Sequence, residues 1–342
     1  MDILVKESSH IPLPSSAFRA AAKNMPSAVG MGKSDAGDDA LLATLTAARG
    51  DHIEFAKLPA LERRGFAVLK HALRAVAVFS PGLAAHLSLK IMRMPPKARP
   101  KPRHRALVAS AARFELNING FPAQGYAWGA GPAVIFCHGW CADASWFAPY
   151  VVELNQRGFQ VVAFDAPGHG LTARGPTDMF GFAACIGGAS NWVTAQGGQV
   201  QAVVGHSVGG VAAALAMRDW NIPCDRLALI SAFTDCNWVA DAFIRMTGLS
   251  RDIGERMRKQ YASLSREPFA LKRTSVVDMI RHAPAHVFLA HDKDDADVPF
   301  WHSLVLLEGC RRAHFYHTRG CGHRRVLRDA GLVNALVRFV SN

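Results

Sequence analysis

A serine framed by glycines is the most reactive arrangement in this chain. In Val203-Val204-Gly205-His206-Ser207-Val208-Gly209-Gly210, Ser207 stands where two β-branched residues end and the apolar run VAAALAMRDW begins. A serine hydroxyl is a weak nucleophile until a base takes its proton. It must also be held clear of its own backbone. Gly-x-Ser-x-Gly between a strand and a helix does this. Gly205 and Gly209 let strand and helix approach closely, and Ser207 takes a sharp, strained bend. Its hydroxyl then projects at a helix N-terminus, whose dipole favours developing negative charge.

The other parts such a serine needs can be sought in loops that follow strand-like runs. His323, in Thr318-Arg319-Gly320-Cys321-Gly322-His323, sits on a glycine-flexed loop before the last helix. A neutral imidazole titrating near the working pH is the natural proton carrier for serine. The other fourteen histidines read as surface or packing residues, and His138 and His206 as structural neighbours of the site. An acid to orient His323 is available at Asp292, Asp294, Asp295 or Asp297, all in LAHDKDDADVPF. In FCHGWCADASWF a strand ends at His138-Gly139, so the Trp140 amide can turn inward. With the Val208 amide it makes a two-donor oxyanion hole, and losing one such donor typically costs ~10²–10³ in rate. The indole rings of Trp140 and Trp146 read as core aromatics. Seven scattered cysteines show neither a CxxC pair nor zinc spacing, so they are expected as reduced thiols in a cytosolic protein. No metal or organic cofactor is expected.

Positioning these loops calls for a layered sheet. Ala133–Phe136, Val161–Phe164, Val200–Val204, Leu227–Ile230, Val287–Ala290 and His314–His317 read as strands. Helices are predicted over Trp146–Gln156, Met179–Ala195, Val208–Trp220, Phe300–Leu307 and Ala330–Val340. Continuously apolar strands with intervening helices imply an α/β fold, a doubly wound, mostly parallel sheet covered on both faces. A hairpin precedes it, turning at Asn119-Gly120. Residues from about 232 to 283 are polar and helix-prone and read as a small helical cap inserted over the C-terminal edge of the sheet.

The N-terminal third has a different character. Residues 1–60 read as weakly ordered, with a short helix at Leu41–Ala48. Residues 61–105 read as a basic helical extension, two helices broken at Ser80-Pro81-Gly82, followed by the Pro-rich linker PPKARPKPRHR. The unit that carries the layered sheet is then expected over 106–342. The net charge of +12 is local. Between Arg63 and Arg105 there are eleven Lys or Arg and no Asp or Glu, and elsewhere the charges nearly balance. Basic helices without interleaved aromatics do not suit nucleic acid, but they do suit peripheral contact with a membrane through 63–105, and they equally suit a helical pair packed on the core and followed by a basic linker. The start of the chain has no signal-type apolar stretch and no run long enough to span a bilayer.

Taken together, CHGW (137–140), FDAPGHG (164–170), GHSVGG (205–210), HDKDDADVPF (291–300) and GCGH (320–323) resemble the α/β-hydrolase fold superfamily over roughly residues 112–341. In that family the acid usually lies in a D-x-x-V-P context, which Asp295 fits, with Asp235 as the reserve. The family's glycine after the loop histidine is Asp292 here. The resemblance implies the order Ser207, Asp295, His323, and a structural rather than catalytic place for Asp165 and His169. It also implies a serine hydrolase acting on a small-molecule ester or thioester through an acyl-enzyme. The same apparatus can run acyl transfer or C–C bond hydrolysis, or persist on a non-catalytic binding protein.

Overall fold

The structure, a computed structural model, describes residues 28–29, 60–96, 102–118, 120–265, 272–283 and 286–342. The expected helix at Leu41–Ala48, most of the 1–60 segment, linker residues 97–101 and Asn119 lie outside the described residues.

The strands are β1 (Ala28–Val29), β2 (Ala112–Ile118), β3 (Phe121–Trp128), β4 (Ala133–Cys137), β5 (Gln160–Asp165), β6 (Val200–His206), β7 (Arg226–Ile230), β8 (His286–Asp292) and β9 (His314–Thr318). Among the described residues they form one sheet in the order β1-β9-β8-β7-β6-β4-β5-β3-β2. Strands β4 to β9 pair parallel with their neighbours. The edge strands β1, β2 and β3 run antiparallel. The β2–β3 hairpin closes at Gly120, whose φ of 86° favours glycine and whose amide donates to Asn117 Oδ1 at 2.9 Å.

Successive strand residues alternate between two hydrophobic clusters. Ile135, Cys137, Val203, Leu227, Leu229, Val287 and Leu289 enter one. Val134, Phe136, Ala202, Val204, Ala228, Ile230, Phe288 and Ala290 enter the other. Burial on both faces is why these runs carry no polar alternation. Helices α5 (Met179–Ala195), α6 (Val208–Asp219) and α10 (Trp301–Gly309) fill the first face. Helices α4 (Ala148–Asn155) and α11 (Ala330–Ser341) fill the second, near the short α3 (Arg105–Ser110).

Between β7 and β8 the chain leaves the sheet for α7 (Cys236–Thr247), α8 (Arg251–Ser265) and α9 (Val276–His282), where the cap is expected. Asp235 caps α7, its Oδ1 accepting from the Asn237 and Trp238 amides at 2.8 and 3.2 Å, and Gly248 ends that helix in the left-handed conformation.

The N-terminal helices are α1 (Ala60–Phe79) and α2 (Pro81–Met92). They break at Ser80, whose Oγ accepts from the Leu83 amide while Pro81 opens α2. Leu73, Ala84, Ala85 and Leu89 enter the same hydrophobic cluster as Trp238, Ile253, Met257 and Tyr261 of the cap. Gln260 Nε2 of α8 donates to the Gly82 carbonyl at 3.1 Å. Arg93 accepts from the Thr177 amide and ion-pairs with Asp178, the residue that caps α5. The helical extension is thus built onto the cap and onto the loop after β5. Among the described residues no helix is long and apolar enough to cross a membrane.

Candidate active site

Ser207 lies between β6 and α6 with φ 57° and ψ −124°, a backbone region that L side chains rarely adopt. The surrounding contacts hold it there. The Ser207 amide donates to the Ile230 carbonyl at 2.9 Å, continuing the β6–β7 ladder past the strand end. A Cβ on Gly205 would stand 2.1 Å from the Gly209 carbonyl oxygen, and one on Gly209 would stand 2.4 Å from that of Cys137. The glycines on either side of Ser207 are therefore needed for β6, α6 and the end of β4 to pack so closely. Cys141 and Ser231, just beyond the ends of β4 and β7, also have positive φ. Backbone strain thus gathers at the C-terminal edge of the sheet, where doubly wound folds place their sites.

The structure brings His323 and Asp295 together from the loops after β9 and β8. His323 Nδ1 donates to Asp295 Oδ2 at 2.8 Å, leaving Nε2 available to accept a proton. Asp295 Oδ1 accepts from the Asp297 and Val298 amides at 2.9 and 2.8 Å. Burial alone would raise the Asp295 pKa. The charge of His323 and hydrogen bonds from His291 and His323 outweigh burial and hold it far below the carboxylate range. The link to Ser207 runs through its neighbour His206. His206 Nε2 donates to the His323 carbonyl at 2.9 Å, and the two rings lie 4.7 Å apart. Among the described residues no hydrogen bond joins the Ser207 hydroxyl to His323.

His291 was not foreseen from sequence as part of this group. Fully buried at the end of β8, it places Nε2 3.2 Å from Asp295 Oδ2 and 2.8 Å from the Val298 carbonyl. Its Nδ1 accepts from Ser303 Oγ at 2.5 Å. The available signal was its position, four residues before the acid at a strand end.

The remaining acids in the loop have other partners. Asp292 accepts from Thr318 Oγ1, the Cys321 amide and the Asp294 amide, tying the β8 loop to the β9 loop that carries His323. Asp294 accepts from the Gly320 amide. Asp235 is occupied as the α7 cap. Asp165 accepts from Tyr126 Oη and the Ala144 and Leu171 amides, and burial raises its pKa to about 6. His138 donates from Nδ1 to the Gly139 carbonyl and accepts at Nε2 from the Ala166 amide, which joins the β4 loop to the end of β5.

Gly139 presses against this elbow, since a Cβ there would stand 3.1 Å from Ser207 Cβ. The next residue, Trp140, is half-buried, its ring edge-on to His169 at 5.1 Å and stacked on Phe182 at 6.3 Å. Among the described residues neither the Trp140 nor the Val208 amide has a hydrogen-bond partner. The Trp146 ring lies 6.4 Å from His206, with the Arg324 guanidinium over it. Among the described residues no group of three or more His, Cys, Asp or Glu is arranged to hold a metal ion.

Comparison with known proteins agrees with this architecture. Residues 130–292 match the family model described as serine aminopeptidase, S33. A serine hydrolase-like protein from Danio rerio is 32% identical over 104 residues, which is 30% of this chain and 32% of that protein. The chain therefore matches about a third of that relative's length. An esterase from Exiguobacterium antarcticum superposes with a TM-score of 0.53 at 19% identity, covering 68% of this chain and all of that one. A thermophilic esterase from Thermogutta terrifontis gives 0.51 at 17% identity, covering 68% of this chain and 98% of that one. The likeness to these structures shows that the chain has the α/β-hydrolase fold. The matches support a hydrolase and leave the bond it cleaves to the site chemistry.

Proposed function

We propose that this protein is a serine hydrolase that cleaves a carboxylic ester or thioester through an acyl-enzyme. The observation that carries this reading is the 2.8 Å hydrogen bond from His323 Nδ1 to Asp295 Oδ2, on a loop anchored to the residue preceding Ser207. In this reading Ser207 Oγ attacks the carbonyl carbon while His323 Nε2 takes its proton. The Trp140 and Val208 amides, with no partner among the described residues, hold the oxyanion. His323 then passes the proton to the departing alcohol or thiol as the ester bond breaks. Water attacks the acyl-enzyme, His323 takes its proton, the acid leaves, and Ser207 regains its hydrogen. Asp295 stays ionised and steadies the imidazolium at each stage. The seven cysteines are all free, which favours a reducing, cytoplasmic compartment.

The test is labelling by a fluorophosphonate probe together with turnover of p-nitrophenyl esters and acyl-CoA thioesters. Wild type is expected to label and to turn over at least one of these substrates, and Ser207→Ala to do neither. Full activity and labelling in Ser207→Ala would overturn the reading.

A further inference from the structure

Helix α1 is apolar on two neighbouring faces, and among the described residues only one of them is covered. Leu69, Leu73, Val76 and Ala77 point toward the body of the protein. About a quarter-turn or more round the helix, Val68, Ala72, Ala75 and Phe79 fall at intervals of four, three and four residues, one stripe along the helix. Val68 is 70% exposed and Phe79 is 89% exposed, with Val78 beside them at 79%. Leu83, at the start of α2, is half exposed as well. A surface helix ordinarily turns charged residues outward, and an apolar outer stripe calls for something to cover it.

The charges around the stripe identify the partner. Arg74 and His71 are exposed on the same helix and Lys90 on the next, and none of the three is in an ion pair among the described residues. The segment from Arg63 to Arg105 holds no acidic residue to offset its eleven cations. Large apolar side chains set among cations, with no acidic residue between Arg63 and Arg105, match the boundary of an anionic bilayer, where apolar groups enter the acyl layer and cations meet phosphates. A second copy of this chain would bring like charges together. The geometry points to α1 and the start of α2 as a docking surface for an anionic membrane. Because α2 packs on the cap, docking there sets the cap beside the lipid.

This proposal goes beyond the hydrolytic reading, and binding is measured without turnover, so either can fail alone. The full chain is sedimented with vesicles of phosphatidylcholine alone and of equal parts phosphatidylcholine and phosphatidylglycerol. Wild type is expected to pellet with the anionic vesicles and to be released as salt rises to about 0.5 M. Val68→Ser with Phe79→Ser is expected to lower binding at least about tenfold. Arg74→Glu with Lys90→Glu is expected to lower it similarly, through charge alone. All four side chains are exposed, so both variants should melt close to wild type. No pelleting of wild type, or equal pelleting of both variants and wild type, overturns the proposal. So does a wild-type dimer in vesicle-free ultracentrifugation that Val68→Ser with Phe79→Ser converts to monomer, which would assign the face to a second copy.

Discussion

His291 Nε2 stands 3.2 Å from Asp295 Oδ2, the same oxygen that accepts from His323. One buried carboxylate oxygen is therefore shared by two imidazoles, one at the end of β8 and one on the loop after β9. Ser303 Oγ donates to Nδ1 and fixes the His291 ring, so its Nε2–H lies between the Val298 carbonyl at 2.8 Å and the Asp295 carboxylate at 3.2 Å. Removing it takes a donor from a buried anion, which typically costs about 1–3 kcal/mol. His291→Leu is expected to lower kcat/KM about tenfold, because Asp295 loses a stabiliser of its charged form and orients His323 less well. His291→Gln, which keeps a donor, should recover part of the loss. A His291→Leu variant with wild-type kcat/KM would show that His291 only fills space.

Ser207 offers a separation of stability from activity. Its φ of 57° and ψ of −124° suit glycine and strain any other residue. Strain of this kind is typically worth about 1–3 kcal/mol. Ser207→Gly is therefore expected to unfold at a higher temperature than wild type by roughly 1–4 °C while losing turnover and probe labelling. Ser207→Ala loses the same activity and keeps the strain. Thermal melts of the three proteins check the order, and a Ser207→Gly variant no more stable than Ser207→Ala would contradict it.

Buried histidines set the response to acid. Burial lowers the pKa of His138 to about 4, and burial, assisted by the neighbouring rings of His138 and His323, lowers those of His169 and His206 to about 3. Burial also holds His302 well below the usual imidazole range. Unfolded, all four titrate near 6.5. Below that value the unfolded chain binds four protons that the folded chain does not, so acidification favours unfolding. Two carboxylates work the other way. The folded pKa of Asp165, about 6, lies above the unfolded carboxylate value, and burial raises that of Asp235 too, so the folded state gains at most two protons there. The net difference of at least two protons costs about 2.7 kcal/mol or more per pH unit between roughly pH 6 and 4. The melting temperature is expected to be lower at pH 5 than at pH 7.5 by roughly 5 °C or more. A flat or rising melting temperature on acidification would contradict this.

Much of the architecture was legible in the order of residues. Five of the six core strands are short runs apolar on both faces, so their positions survive without knowledge of what packs on them. Met179–Ala195 is found as expected, and the other four core helices shift by one or two residues at their ends. Gly205 and Gly209 announced the close approach of β6 and α6, because only glycine fits where a Cβ would strike backbone. The break at Ser80-Pro81-Gly82 was equally local. A proline that opens one helix after a capping serine is written in the residues themselves.

Other features depended on distant segments meeting. The sequence left four neighbouring aspartates able to serve His323, and only family likeness chose among them. In the fold, Asp292 and Asp294 point their oxygens at the β9 loop, while Asp295 turns to His323. That division depends on how two loops, some twenty-five residues apart, lie side by side. His291 looked like any strand-end histidine until folding placed its ring on the acid. Likewise α1 read as part of a basic helical pair, and only packing revealed which of its apolar faces is covered among the described residues. Periodicity and backbone restrictions act between near neighbours, so the sequence alone determined strands, helices, the strained serine and its order relative to acid and base. Which polar atoms face each other is a long-range matter, decided when the sheet brings its C-terminal loops to one edge.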